Sequence, residues 1–140
     1  MSLEENKALV LSYYEKAFGQ KNVGLIAEIM APDCINHTSI PTIGQGSVSF
    51  EQAVNMYYDA FPDINFTVED AIAQDDKVVL RMTLRGTHKG EFLEIPPTGK
   101  RIEVMGLAIF RVANGKIAEV WGLRDHIGTM LQLGVTHKLA

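Results

Sequence analysis

A chain of 140 residues with a formal charge of −4 fits one domain, 1–140, and should bury roughly two thirds of the surface its unfolded form exposes, so a core and a pocket are both possible without staples. Its charges are mixed, with neither a Lys/Arg cluster nor an acidic tail, which argues against nucleic acid and membrane surfaces as partners. Cys34 is the single cysteine, so no intrachain disulfide forms, and without a charged leader or a run long enough to span a bilayer a cytoplasmic protein is expected.

The chain opens with a helix. Ser2 and Glu5 make a capping box, and Leu9, Val10, Tyr13, Tyr14, Ala17 and Phe18 recur at helical spacing until Gly19 stops the run. The tyrosines read as core aromatics that can also offer a hydroxyl to a cavity. A second, shorter helix through Leu25, Ile26, Ile29 and Met30 is expected to end at Pro32. Cys34, with no activating base beside it in sequence, reads as a small buried filler. Cys34 to His37 reads as a short extended piece before a loop rich in Thr, Ser, Gly and Pro. Ser49 with Gln52 gives another capping box, and Phe50, Ala53, Val54, Tyr57 and Phe61 form the stripe of a third helix stopped at Pro62.

From Ile64 the period becomes alternating. Phe66, Val68 and Ile72 face one way in a first strand. Asp75 and Asp76 make a turn, and Val78, Leu80, Met82 and Leu84 line one face of the next, a row whose parity His88 shares. Arg101 to Arg111 places Ile102, Val104, Gly106, Ala108 and Phe110 on one face, with small residues where something must fit close. Met105 and the other methionines read as core or pocket filler. Asn114 and Gly115 give the strongest hairpin signal in the chain.

That hairpin returns into GKIAEVWGLRD, Gly115 to Asp125. By alternation Ile117, Glu119, Trp121, Leu123 and Asp125 share one face, and Ala118, Val120, Gly122 and Arg124 the other. A carboxyl held against Trp121 and Leu123 has its charged form disfavoured, which suits it to shuttle a proton near neutral pH. Asp125 also stands where an N-cap for HIGTMLQLG is needed, and the two roles are compatible. Glu119 reads as solvated or paired across the sheet. Helices first, then a mainly antiparallel meander and a short closing helix, define an α+β architecture.

Arg85 to Gly134, with GTH-x-G, PPTGK and W-x-x-x-D in that order, resembles the SnoaL-like family of polyketide cyclases and predicted ester cyclases, of the nuclear transport factor 2-like fold, and FPDINFTVEDAIAQDDKVVLR extends the match. The resemblance implies a cone-shaped barrel, helices packed on a curved sheet with a pocket between, and an intramolecular aldol ring closure without metal or organic cofactor. It implies Asp125 as acid/base, Trp121 as pocket wall, and His88 and His37 in or near the pocket. In an enzyme reading His88 helps to orient or polarise the aldol oxygen, and Tyr14, Phe18, Tyr57, Phe92 and Met105 are further substrate-binding candidates. The partner expected is a small apolar or polyketide-like molecule, either transformed or simply bound. A homodimer would cover the outer sheet face, with Val79 and Val120 as candidates for burial there. One departure stands out: where members often carry Gly two residues before PP, this chain has Glu94. Its four scattered histidines show no metal-ligand spacing.

Overall fold

The computed structural model describes residues 1–37 and 44–135; most of the loop expected after His37 lies outside them. The capping box forms: Glu5 N–H donates to Ser2 Oγ at 3.1 Å and Ser2 N–H to Glu5 Oε1 at 3.0 Å, starting α1, Leu3–Ser12. The chain then widens into a π-helical turn, Tyr13–Phe18, in which Tyr13, Tyr14, Ala17 and Phe18 are all buried. In an α-helix adjacent residues stand about 100° apart, and the wider turn helps both neighbouring tyrosines reach one interior.

The second helix is shorter than its apolar spacing suggests. A 3₁₀ turn, Val23–Leu25, leads into α2, Ile26–Ile29, and the backbone is already extended at Met30. Pro32 therefore sits inside β1, Met30–Asn36, an edge strand, where a missing N–H is tolerated. The third helix, α3 (Ser47–Ala60), starts before Ser49, with Gly46 as N-cap. Ser49 is not a cap: its hydroxyl donates to Gly46 O at 2.6 Å and accepts from Asn36 Nδ2 at 2.8 Å, tying α3 to β1.

Four more strands follow: β2 (Asn65–Gln74), β3 (Lys77–Thr87), β4 (Arg101–Ala113) and β5 (Lys116–Arg124), then α4 (His126–Gln132). The sheet runs β1-β5-β4-β3-β2, with β1 parallel to β5 and the other neighbours antiparallel. Left-handed Asp75 (φ 54°) and the Asn114–Gly115 pair (φ 53° and 73°) make the tight turns. Alternation holds without a break along β3 and β4, so Val78, Leu80, Met82, Leu84, Ile102, Val104, Ala108 and Phe110 are buried under the helices as expected. The result is the cone-shaped α+β architecture.

Two bulges change which residues face that interior. In β2 the register steps from Val68↔Met82 to Asp70↔Arg81, leaving Glu69 extra; Ile72 turns outward, 62% exposed, away from the side of Phe66 and Val68. In β5 the step lies between Arg111↔Glu119 and Val112↔Ile117, with Ala118 the extra residue. Ile117 and Val120 are consequently both buried. Beyond the bulge the inner set is Val120, Gly122 and Arg124, while Glu119, Trp121 and Leu123 face out. Val120 thus belongs to the core, at 3% exposure, and only Val79 of the two valines expected on the outer face stands there.

Candidate functional site

The GTH-x-G and PPTGK segments meet each other and not the interior cleft. His88 N–H donates to Lys100 O at 2.8 Å, Gly99 N–H to His88 O at 2.8 Å, and Lys89 and Gly90 N–H both reach Ala60 O at 3.0 and 3.1 Å, closing the end of β3 onto the last turn of α3. His88 is fully buried, its ring 5.5 Å from that of Phe61. Thr98 N–H donates to its Nδ1 at 3.2 Å, with Thr98 Oγ1 at 3.1 Å, so Nδ1 is the acceptor and the neutral tautomer carries its proton on Nε2. Hydrogen bonding with the Gly90 and Ile95 backbone acts on the same ring, in the opposite sense to burial. Inner parity is as expected for His88, but its surroundings are those of a clasp.

Burial lowers the His88 pKa from its ordinary 6.5, and lowers that of His126 as well, with the Arg124 charge adding to the second. In the unfolded chain both rings protonate first, so stability should fall as pH drops below about 6.5 and be fully present above it. Unfolding of wild type and His88→Asn across that range checks this. The acid limb should flatten by up to one proton's worth, about 1.4 kcal/mol per pH unit, and an unchanged slope would remove His88 from the account.

Between helices and sheet, Tyr13, Tyr14, Asn36, Phe50, Ala53, Met82, Ala108, Phe110, Val120, Gly122 and Arg124 line a narrow cleft. Its space open to the centre of a water molecule is about 30 Å³, room for about two waters. The Arg124 stem passes beside Gly106, where a Cβ would make ordinary contact with Arg124 Cγ at 3.5 Å. The guanidinium carbon sits 4.7 Å from the centre of the Tyr57 ring and 5.7 Å from that of Phe66, cation–π distances that offset part of its desolvation. Its Nε and the Tyr57 hydroxyl are both sealed from solvent, and hydrogen bonding between the two side chains supports the charge. Burial pushes the Tyr13 and Tyr14 phenols well above their ordinary range, so at neutral pH both are protonated donors beside a permanent cation.

Asp125 is not in this cleft. The bulge turns Arg124 inward, and Asp125 is exposed as N-cap of α4, its Oδ1 accepting from Gly128 N–H at 2.7 Å. Any Cβ on residue 128 would overlap that carboxylate, which is why Gly follows at this spacing. The desolvated environment expected from Trp121 and Leu123 is thus corrected, and of the two sequence-level roles the structure forms the cap. Asp125 and His88 are not brought together as lining of one cavity.

The other candidates divide. Tyr14 lines the cleft; Tyr57, Phe18 and Phe92 are buried behind it, Phe92 packing 5.5 Å from Tyr57 and 5.2 Å from Phe61. Met105 is on the outer face, 50% exposed. His37 and Trp121 stack 5.2 Å apart there, and Glu119 joins His37 Nε2 (2.8 Å) to Arg111 Nε (2.9 Å), so neither ring walls the pocket. Glu94 is exposed at φ 68° in the tight turn joining Phe92 and Ile95. That left-handed conformation costs a residue with a Cβ about 1–2 kcal/mol and explains why glycine suits the position. Burial, with Asp33 nearby, pushes the Cys34 thiol up to about 11, leaving it inert. Arg124 is the residue that strand alternation missed. The available signal was Ile117 and Val120, two β-branched residues of opposite parity in one strand, which cannot both be buried without a bulge.

Among the described residues no group of three His, Cys, Asp or Glu could hold a metal ion, and no helix is long and apolar enough to cross a membrane. A curved sheet with helices closed over a polar-ended cleft is the architecture of a small-molecule site. Residues 8–133 match the profile of the SnoaL-like polyketide cyclases, and the chain belongs to that family. It is similar to the aklanonic acid methyl ester cyclase DauD of Streptomyces sp. (strain C5), 27% identical over 111 residues, 79% of this chain and 67% of that protein. Among solved structures it resembles TsrD from Streptomyces laurentii in fold, at TM-score 0.88 and 24% identity, with 97% of this chain and 99% of that one covered. IdmH from Streptomyces antibioticus superposes at TM-score 0.80 with 30% identity over 93% of this chain and 99% of that one.

Proposed function

We propose that the chain is a cyclase-type enzyme acting on a small ketone-bearing, polyketide-like molecule seated in the interior cleft. Asp125 takes a proton from carbon α to one carbonyl, that carbon bonds to a second carbonyl carbon, and the new alkoxide receives the proton back. What supports this is the Arg124 end of the cleft. A permanent cation and phenol hydroxyls stand together where negative charge on a carbonyl oxygen would develop. Asp125 follows Arg124 in the chain, and the two share a shallow depression with Gly106 and Leu123. The likeness to a cyclase for a methyl ester directs the assay toward keto esters: ring closure gives an isomer of unchanged mass with one ketone carbon fewer, countable by ¹³C NMR. Ring closure of a keto-ester panel no faster with protein than in buffer would end the enzyme reading.

A second reading has its own observation. Among the described residues the cleft lining contains neither carboxylate nor imidazole, which favours binding of a small molecule without chemistry; a ligand that shifts the protein's NMR signals and is recovered unchanged would mark this case. We further propose that a second copy covers the outer face, where Ile35, Met105, Leu107 and Leu123 are exposed together with Ile109. Leu107→Glu should then convert a dimer to monomer in sedimentation, and a wild-type monomer at micromolar concentration would remove the idea.

A further inference from the structure

Charge in the cleft is unbalanced. Arg124 is always protonated, yet the cleft around it is lined by the phenols of Tyr13 and Tyr14 and, among the described residues, by no carboxylate. A buried ion pair would have supplied a carboxylate; no salt bridge to Arg124 forms among the described residues. Arg124 Nε–H and the Tyr57 hydroxyl are sealed on adjacent side chains, and hydrogen bonding between these two side chains helps to hold the charge. A guanidinium carries five N–H donors, more than one phenol can satisfy, in a planar fork suited to two oxygens at once. The aromatic faces of Tyr57 and Phe66 lie against the cation at 4.7 and 5.7 Å, which leaves its edge for hydrogen bonding. The neutral Tyr13 and Tyr14 sit close enough to Arg124 to feel its charge.

We propose that Arg124, held from behind by Tyr57, forms an oxyanion subsite that selects ligands carrying a planar, delocalised oxygen anion, either a carboxylate or the enolate of a 1,3-dicarbonyl. This rests on the cleft being the ligand site, as the proposed function has it, and names the chemical class of what enters. The narrow space near Arg124, about 30 Å³ for water centres, suits the anionic head of a ligand better than its bulk.

The test uses the full chain, ¹⁵N-labelled, with three small probes at neutral pH: isobutyrate, its neutral isostere isobutyramide, and 1,3-cyclohexanedione as its enolate. Binding is read from backbone amide shifts in every variant, with the Arg124 Nε–H resonance as a further probe in wild type. Isobutyrate, the enolate or both should bind at least about tenfold more tightly than the amide, because only they make charge-assisted bonds. Isobutyrate alone would assign a carboxylate subsite and the dione alone an enolate subsite. Arg124→Gln should erase that preference while the fold, followed by circular dichroism, is kept; Tyr57→Phe should weaken anion binding several-fold. Equal binding of anion and amide, no binding of either anion, or an anion preference that survives in Arg124→Gln would overturn the proposal. Its failure is separable from that of the cyclase reading. Anion selectivity without ring closure retires only the enzyme, and ring closure undiminished in Arg124→Gln retires only the subsite.

Discussion

Gly90→Ala should lower the stability of the protein by about 3 kcal/mol, and its melting temperature by on the order of 10 °C. A Cβ at this position would overlap the Asp59 carbonyl oxygen and lie 2.9 Å from the carbonyl carbon and 3.3 Å from Ala60 Cα. These are backbone atoms of the last turn of α3, which cannot rotate away as a side chain could. Relief requires the 88–90 segment to lift, and that strips Lys89 and Gly90 of their bonds to Ala60 O and loosens His88 from Thr98. The usual gain from replacing Gly with Ala, about 0.4–1 kcal/mol through the unfolded state, is too small to compensate. Denaturant unfolding of the two proteins decides it. A variant within about 0.5 kcal/mol of wild type, the range of ordinary surface changes, would mean that the close approach is absent.

Asp125→Asn should leave stability nearly unchanged and, in the cyclase reading, cut turnover by roughly 10²- to 10⁴-fold. The two effects separate because Asn caps a helix about as well as Asp: an amide oxygen can accept from Gly128 N–H as the carboxylate does at 2.7 Å. What Asn cannot do is take the proton from carbon and return it to oxygen. Turnover unaffected by the substitution would transfer the acid/base step to another group or to the substrate itself. A large stability loss would show instead that the carboxylate charge, beyond its capping oxygen, holds α4.

Much of the fold was legible because its signals are local. The Ser2–Glu5 box, the Asn114–Gly115 turn and the unbroken alternation of Ile102 to Phe110 each act within a few residues, and each forms as read. What failed was counting across a bulge. Glu69 and Ala118 look like ordinary strand residues, and nothing in their chemistry announces an unpaired position. The family resemblance located the conserved-looking segments correctly but gave no reason for them: His88 and Gly90 of the GTH-x-G stretch prove to be joinery between β3, α3 and the Thr98 loop. The cleft's cation was hidden by the same parity error that promoted its neighbour.

Strand β5 can therefore be regarded as a selector with two settings. Arg124 and Asp125 are adjacent, opposite in charge and opposite in facing, and one surplus residue at Ala118 decides which of them the interior receives. Were Ala118 paired as a regular strand residue, alternation from Ile117 would bring Asp125 to the inner face; bulged out, it leaves that face to Arg124. How the hairpin end of the strand accommodates a single residue thus sets the sign of the charge that a ligand meets at its other end.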